Sequence, residues 1–528
     1  MISPRAIKAF LGRVFKDSNK TKKKPRKAIE QYIAKLKVKP RKWDEEMWTH
    51  QLACFTLGIR YRTYLFFLDM GLGKTRIVLE VFDYRRRRDD AKRLLVLVPN
   101  TTNIFGWMDQ VKEHTPHLKC TGLTPYLTPA AKQDAVVDLD VDVLVSTYAG
   151  FMHLVCRKVD KKKKGKTVRR MVIHDPTLKK IASTFDVVVY DESTMLRTHG
   201  RQSLPTRIAT HLTKHIKCRY ALTGTPFGKK VESLWSQFRV IDDGETLGKT
   251  LGLFRAAFFT EKKGYFGGYT YTFDKRKEGL LHRVCRNRSI RYASEECLDL
   301  PQAVPSVREV VMPESTWKYQ QKIVEDLREA RGNFTLVENA WCRLRQLTSG
   351  YLPVVDPEGE RVTIEFKDNP KLEALIADLH EVPEGSKVLV FNEYIKTGEI
   401  ICAALKKEKI KHERIYGGTS SKDKKIEKFR DDPSVRVLVI NSASGAFGLN
   451  LQVANYVAFY ESPVDPIIRR QAWKRAHRGG QTKPVFVIDY AVRGSVDVQI
   501  LKSQAQGRDL FQSIVEGDTD LVSLMVRI

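Results

Sequence analysis

Lys74 and Thr75 close the loop Asp69-Met70-Gly71-Leu72-Gly73-Lys74-Thr75, which follows an apolar run at 64–68 and precedes a helical pattern at 76–82. Glycines let backbone N–H groups close on a phosphate, and the positive end of the following helix adds to the attraction. In such a cradle Lys74 reaches the β- and γ-phosphate oxygens and Thr75 ligates Mg²⁺. The general pattern G-x-x-x-x-G-K-[ST] asks for glycine where this chain has Leu68, so the loop matches in part and in the right context. Downstream, an apolar run at 187–190 ends in Asp191-Glu192. There Asp191 can hold the metal, directly or through water, and Glu192 can orient and deprotonate an attacking water. An isolated Asp-Glu pair usually marks a solvated surface. Behind an apolar strand and a phosphate loop it predicts an ATPase that uses ATP and Mg²⁺. The run 222–226 (LTGTP) offers hydroxyls at a strand end, or an ordinary turn closed by Gly and Pro. In the stretch 471–481 (QAWKRAHRGGQ), Arg475 and Arg478 lie three apart, the spacing of one helical face. They read either as arginine fingers for a transferring phosphate or as a basic face against DNA or solvent.

Holding these groups requires strands that end near them. Short β-branched runs at 64–68, 94–98, 143–147, 187–190 and 220–223 alternate with helical stretches. A second series begins near Lys371, with runs at 388–391, 435–440, 456–460 and 485–489. Such alternation predicts an α/β fold of two parallel-sheet lobes with helices on both faces. The expected division is a basic arm over 1–42, an ATP-binding lobe over 43–240, helical insertions and a linker over 241–370, a second lobe over 371–505 and a tail over 506–528. Within 241–370 lie Gly-rich aromatic and basic stretches and one helical pattern at 315–331.

The formal net charge of +30 predicts a polyanionic partner, nucleic acid ahead of a membrane surface. Asp17 and Glu30 are the only acids before residue 43. Two amphipathic patterns there, at 7–15 and 29–36, read as helices packed on the next domain, as an arm holding DNA, or as a presequence. The lysine-rich insert 157–170, with Lys161, Lys162, Lys163 and Lys164 at its centre, reads as a solvated loop or as a phosphate-backbone contact. The eight cysteines are scattered without a C-x-x-C pair, which argues against zinc or a disulfide framework. No apolar run approaches the roughly 20 residues of a membrane span, and no secretory signal is evident.

In this order the motifs resemble those of the Swi/Snf family of superfamily-two, helicase-like, DNA-translocating ATPases. DMGLGKT is similar to the family's first motif, which also lacks the first glycine. LVLVP at 95–99, with Trp107 downstream, resembles motif Ia, and VSTY at 145–148 resembles motif Ib. LTGTP and the following ESLW at 232–235 resemble motif III and its helix, and RLRQL at 343–347 resembles the segment linking the lobes. SASGAFGLNL at 442–451 resembles motif V, and 471–481 resembles motif VI. The match runs from about residue 45 to residue 505.

The resemblance implies two RecA-like lobes with helical protrusions between them. It implies nucleotide contacts from Gln51 (reading adenine), Met70, Gly71, Leu72, Gly73, Lys74 and Thr75, with Arg475 and Arg478 as fingers. It implies nucleic-acid backbone contacts at Thr147, Tyr148, Ser444 and Gly445, hence low sequence specificity. One departure concerns the second motif: Thr194 stands where the family carries histidine, which bears on how hydrolysis couples to LTGTP. The expected function is translocation on double-stranded or branched DNA in replication, recombination or repair. The alternatives are a strand-separating DNA or RNA helicase, a fork-remodelling annealing enzyme, and a binding protein with a decayed ATPase. A motor with little outside its lobes fits a bacterial, viral or phage protein, located with DNA in the cytoplasm, of the host if viral.

Overall fold

A computed structural model describes residues 23–505 apart from 42–45, 125, 139, 164–165, 197, 200, 225, 227–230, 264–268, 330–333, 356–357, 420 and 443–450. The expected first helix of the arm, Lys164, Ser444, Gly445 and the tail 506–528 lie outside these residues. The chain forms two compact units, 1–298 and 299–528.

The first unit is built on a seven-stranded, wholly parallel sheet. Its order is Ser289–Tyr292, Thr63–Leu68, Cys218–Thr223, Val187–Asp191, Leu94–Val98, Val143–Thr147, Cys120–Gly122. Successive side chains on a strand point to opposite faces, and here both faces are covered. Tyr64, Phe66 and Leu68 enter one core with Val187 and Val189, and Leu65 and Phe67 enter the other with Val188 and Tyr190. That double burial is why the central strands read as unbroken apolar runs.

Part of the N-terminal arm packs on the first core. Residues Lys23–Ala34 form a helix whose Ile29 and Ile33 are buried, with Tyr32 and Leu36 alongside. Beyond it, Arg41 donates from its backbone to Glu80 and from its guanidinium to Asp83, at 2.9 and 3.1 Å. The 29–36 pattern is thus accounted for by packing.

The lysine-rich insert is not an irregular loop. Cys156–Lys163 and Lys166–Ile173 pair antiparallel as a hairpin, with Arg157 through Asp160 exposed. Val159, Val168 and Val172 place β-branched residues among the lysines, and strand pairing satisfies the backbone that a loop would leave to water.

The second unit carries a six-stranded parallel sheet. Its order is Ala303–Val310, Val485–Val492, Tyr456–Phe459, Val388–Asn392, Val437–Asn441, His412–Ile415. Again the faces alternate: Leu389, Phe391, Leu438 and Ile440 fill one core, and Val388, Val390, Val437 and Val439 the other. Both units are RecA-like α/β lobes. Residues 241–370 are shared between them, because Ser289–Tyr292 joins the first sheet and Ala303–Val310 the second.

Candidate active site

In open parallel sheets, ligands bind beyond the carboxyl ends of the strands, where loops and helix N-termini converge. Three neighbouring strands of the first sheet end at the sequence-predicted chemistry. Phe67 is in register with Thr223, and Leu222 with Asp191. The glycine loop, the LTGTP run and the acidic pair therefore stand side by side at one edge.

The loop turns through Gly71 and Gly73, whose φ values are +82° and +73°. That region is open to glycine at little steric cost. Gly73 caps the helix Lys74–Arg86, so the first backbone N–H groups of that helix face the loop. A side chain at Gly73 would run into the Gln51 amide. Gln51 accepts from the Trp48 N–H at 3.0 Å and donates to the Leu72 carbonyl at 3.4 Å. Its amide thus holds the phosphate loop itself. His50 supports the same carbonyl through Nε2 at 2.9 Å, and burial pushes its pKa down to about 4, so it is neutral there. Just beyond the neighbouring edge strand, the Ser294 N–H donates to Asp69 and its hydroxyl to the Met70 carbonyl, both at 3.3 Å. Met70 and Leu72 are buried, while Thr75 is half-buried in the first turn of the helix. The Lys74 ammonium sits on the carbonyls of Leu68 and Asp69, at 2.8 and 3.3 Å.

Asp191 ends its strand almost fully buried. The Trp107 indole N–H donates to Oδ2 at 2.9 Å, and the Glu192 N–H to Oδ1 at 3.0 Å. Burial raises its pKa to about 6, with the adjacent Glu192 pushing the same way and Trp107 and Lys74 opposing. A raised carboxyl in a phosphate site is a carboxyl short of positive charge, which a divalent cation supplies. Each oxygen keeps a lone pair beyond its one donor. Asp191 and the Thr75 hydroxyl therefore fit Mg²⁺, which takes one or two protein ligands and the rest from phosphate and water. Among the described residues no cluster of three or more His, Cys, Asp or Glu could hold a metal by itself.

Glu192 adopts a left-handed backbone, φ +45° and ψ +59°. For a residue with a Cβ this is a sparsely populated state that costs on the order of 1 kcal/mol and persists only where neighbours enforce it. Its Oε2 accepts from the Thr223 hydroxyl at 3.0 Å. Gly224 lets this loop pass close to the phosphate loop: a Cβ there would lie 3.2 Å from the Leu68 carbonyl oxygen.

Thr147 and Tyr148 stand at the end of the strand Val143–Thr147. The Thr147 hydroxyl caps the helix Tyr148–Val155 by accepting from the Gly150 N–H at 2.8 Å. The Tyr148 side chain, expected at nucleic acid, is instead buried and donates to the Asp191 carbonyl at 2.9 Å. Trp107, Tyr148 and Ser294 were not expected to support the acidic pair and loop. Trp107 and Tyr148 carried a signal, as residues of the stretches resembling motifs Ia and Ib; Ser294 carried none.

In the second unit, the helix Pro466–Trp473 stops before the two arginines. The expectation of a shared helical face is thus corrected. Arg475 and Arg478 lie in successive turns, with the Arg475 N–H bonded to Ala472 and the Ala476 N–H to Trp473, three residues back. Gly480, at φ +93°, and the Gln481 amide follow the two arginines. That amide donates to the carbonyls of Gln452, Ala454 and Ala476, at 2.9, 2.9 and 3.2 Å, and anchors the turns from behind. Arg475 is 9% exposed. Burial lowers the pKa of the Arg478 guanidinium.

The chain is also similar to known proteins. Residues 47–346 match the SNF2-related domain, and residues 370–480 match the helicase conserved C-terminal domain. A putative ATP-dependent helicase/translocase of Bacillus subtilis, YwqA, is 22% identical over 470 residues, covering 86% of this chain and 47% of that protein. The DNA repair protein rad8 of Schizosaccharomyces pombe is 38% identical over 140 residues, covering 25% of this chain and 12% of that protein. The chain thus spans about half the length of the first relative and far less of the second. Among solved structures, the Sulfolobus solfataricus SWI2/SNF2 ATPase core in complex with dsDNA is 22% identical, covers 93% of this chain and 97% of that chain, and has a TM-score of 0.39. The chain belongs to the SNF2-related family of helicase-like proteins.

Proposed function

We propose that this chain is an ATP-hydrolysing motor that translocates on double-stranded DNA and remodels DNA or DNA–protein structures in replication, recombination or repair. One observation carries the reading: phosphate loop, Asp191-Glu192 and Thr223 end three adjacent strands at one sheet edge. The ATP-binding lobe is assigned to 43–240 and the second lobe to 371–505.

ATP places its phosphates over Gly71–Thr75, and Lys74 leaves the Leu68 and Asp69 carbonyls for the β- and γ-oxygens. Thr75 and Asp191 would hold Mg²⁺, which would neutralise charge on the phosphates. Glu192 takes a proton from a water whose oxygen attacks the γ-phosphorus. The bond from that phosphorus to the β–γ bridging oxygen breaks, and ADP leaves with the electron pair. Arg475 and Arg478 stabilise the charge on the γ-phosphoryl group. Release of phosphate then shifts the population between two arrangements of the lobes, and repetition moves the chain along DNA.

DNA as the track is supported by the charge of +30 and by the lysine-rich insert 157–170, a composition that suits phosphate without base reading. Thr147, Ser444 and Gly445 are assigned to the same backbone. The Bacillus subtilis relative, named a putative ATP-dependent helicase/translocase, is in keeping with this reading.

The test is displacement of a third strand from a triplex. A translocase displaces it with ATP and leaves the duplex closed. Opening of a tailed duplex, without displacement from an untailed triplex, would contradict translocation and favour a strand-separating helicase.

A further inference from the structure

The second motif departs from its family at Thr194, yet Glu192 is still tied to the LTGTP loop, and by more than Thr223. The residue after the acid, Ser193, is fully buried, and its hydroxyl donates to Gln237 Oε1 at 2.7 Å. Gln237, also fully buried, lies in the helix Glu232–Asp242. Its Nε2 donates onward to the Pro226 carbonyl at 2.8 Å and to the Ser233 carbonyl at 3.3 Å. Pro226 stands three residues beyond Thr223 on the same loop.

Neighbours of Gln237 on this helix, Leu234, Phe238 and Ile241, are core apolar residues. An amide among them costs free energy unless every polar atom finds a partner. Here the carbonyl accepts from Ser193 and the amine donates twice. The result is a closed circuit: Glu192 to Thr223 by hydroxyl, Thr223 to Pro226 by chain, Pro226 to Gln237 to Ser193 by hydrogen bonds, and Ser193 back to Glu192 by a peptide bond. The left-handed backbone of Glu192 needs such enforcement.

We propose that Gln237 is a positioning residue: with Ser193 it locks the carboxylate of Glu192 to the 223–226 loop, so that displacement of the loop and aim of the base change together. The inference rests on Glu192 acting as the base in ATP hydrolysis.

Gln237→Leu keeps the side chain's bulk and removes the amide. Ser193→Ala removes one oxygen. In steady-state ATP hydrolysis with duplex DNA, each should lower kcat about tenfold or more, the scale of a small misplacement of a reacting group. KM for ATP should stay within about twofold, since the phosphate loop is untouched. The double variant should be no slower than the slower single variant, because both break one circuit. Thermal melting identifies a variant that fails to fold, in which case the smaller change, Ser193→Ala, carries the test. A purely packing role predicts a lowered melting temperature with kcat unchanged. Wild-type kcat in a folded single variant, or losses that multiply in the double, would overturn the circuit while the ATPase reading stands. An inactive wild type would overturn both.

Discussion

Glu192→Gln binds ATP like the wild type and hydrolyses it about 10³-fold more slowly, within the usual worth of a positioned general base. The side chain keeps its length and can still accept from Thr223 through its amide oxygen. What it loses is basicity. Asp191, Thr75 and Lys74 are unchanged, so nucleotide affinity should hold while the water is no longer deprotonated. Equilibrium titration with a fluorescent ATP analogue and a single-turnover hydrolysis assay separate the two effects. Turnover within twofold of wild type would remove Glu192 from the role of base.

Arg475→Ala costs about 10³-fold or more in turnover, the usual contribution of an arginine finger. The residue sits in a tight turn anchored by Gln481 and is only 9% exposed. A solvated contact to DNA would not require such burial. Arg475→Lys should not restore the rate, because a point charge lacks the planar fork that matches phosphoryl oxygens. Measuring ATP turnover and duplex affinity on the same variant tells the roles apart. A loss below tenfold in turnover, with weakened DNA binding, would return Arg475 to the DNA-backbone reading.

Much of this site is legible in the sequence because its parts end strands that are buried on both faces. All nine expected strand runs are strands of the two sheets, with ends shifted by up to three residues. The four sheet strands that went unpredicted are the outermost ones: Cys120–Gly122, Ser289–Tyr292, Ala303–Val310 and His412–Ile415. Each has a neighbour on one side only and mixes polar residues into a short run, so no apolar signal survives. One of them mattered, since Ser294 follows Ser289–Tyr292 and braces the phosphate loop. The hairpin at 156–173 was hidden by its lysines, which obscure the pairing of its backbone. Arg475 and Arg478 show a further limit: a spacing of three fits a helical face, but the helix ends at Trp473 and both arginines lie in turns. Finally, Trp107 on Asp191 and Gln237 on Ser193 join residues 84 and 44 positions apart. Only the fold brings such pairs together.

The most direct measurement is the ATPase rate at one fixed salt concentration without nucleic acid and with plain duplex DNA, single-stranded DNA, forked DNA and RNA. Strong stimulation by plain duplex is expected, at least equal to that by any of the other three nucleic acids. Stimulation by single strands or RNA alone, or no hydrolysis under any condition, would contradict it.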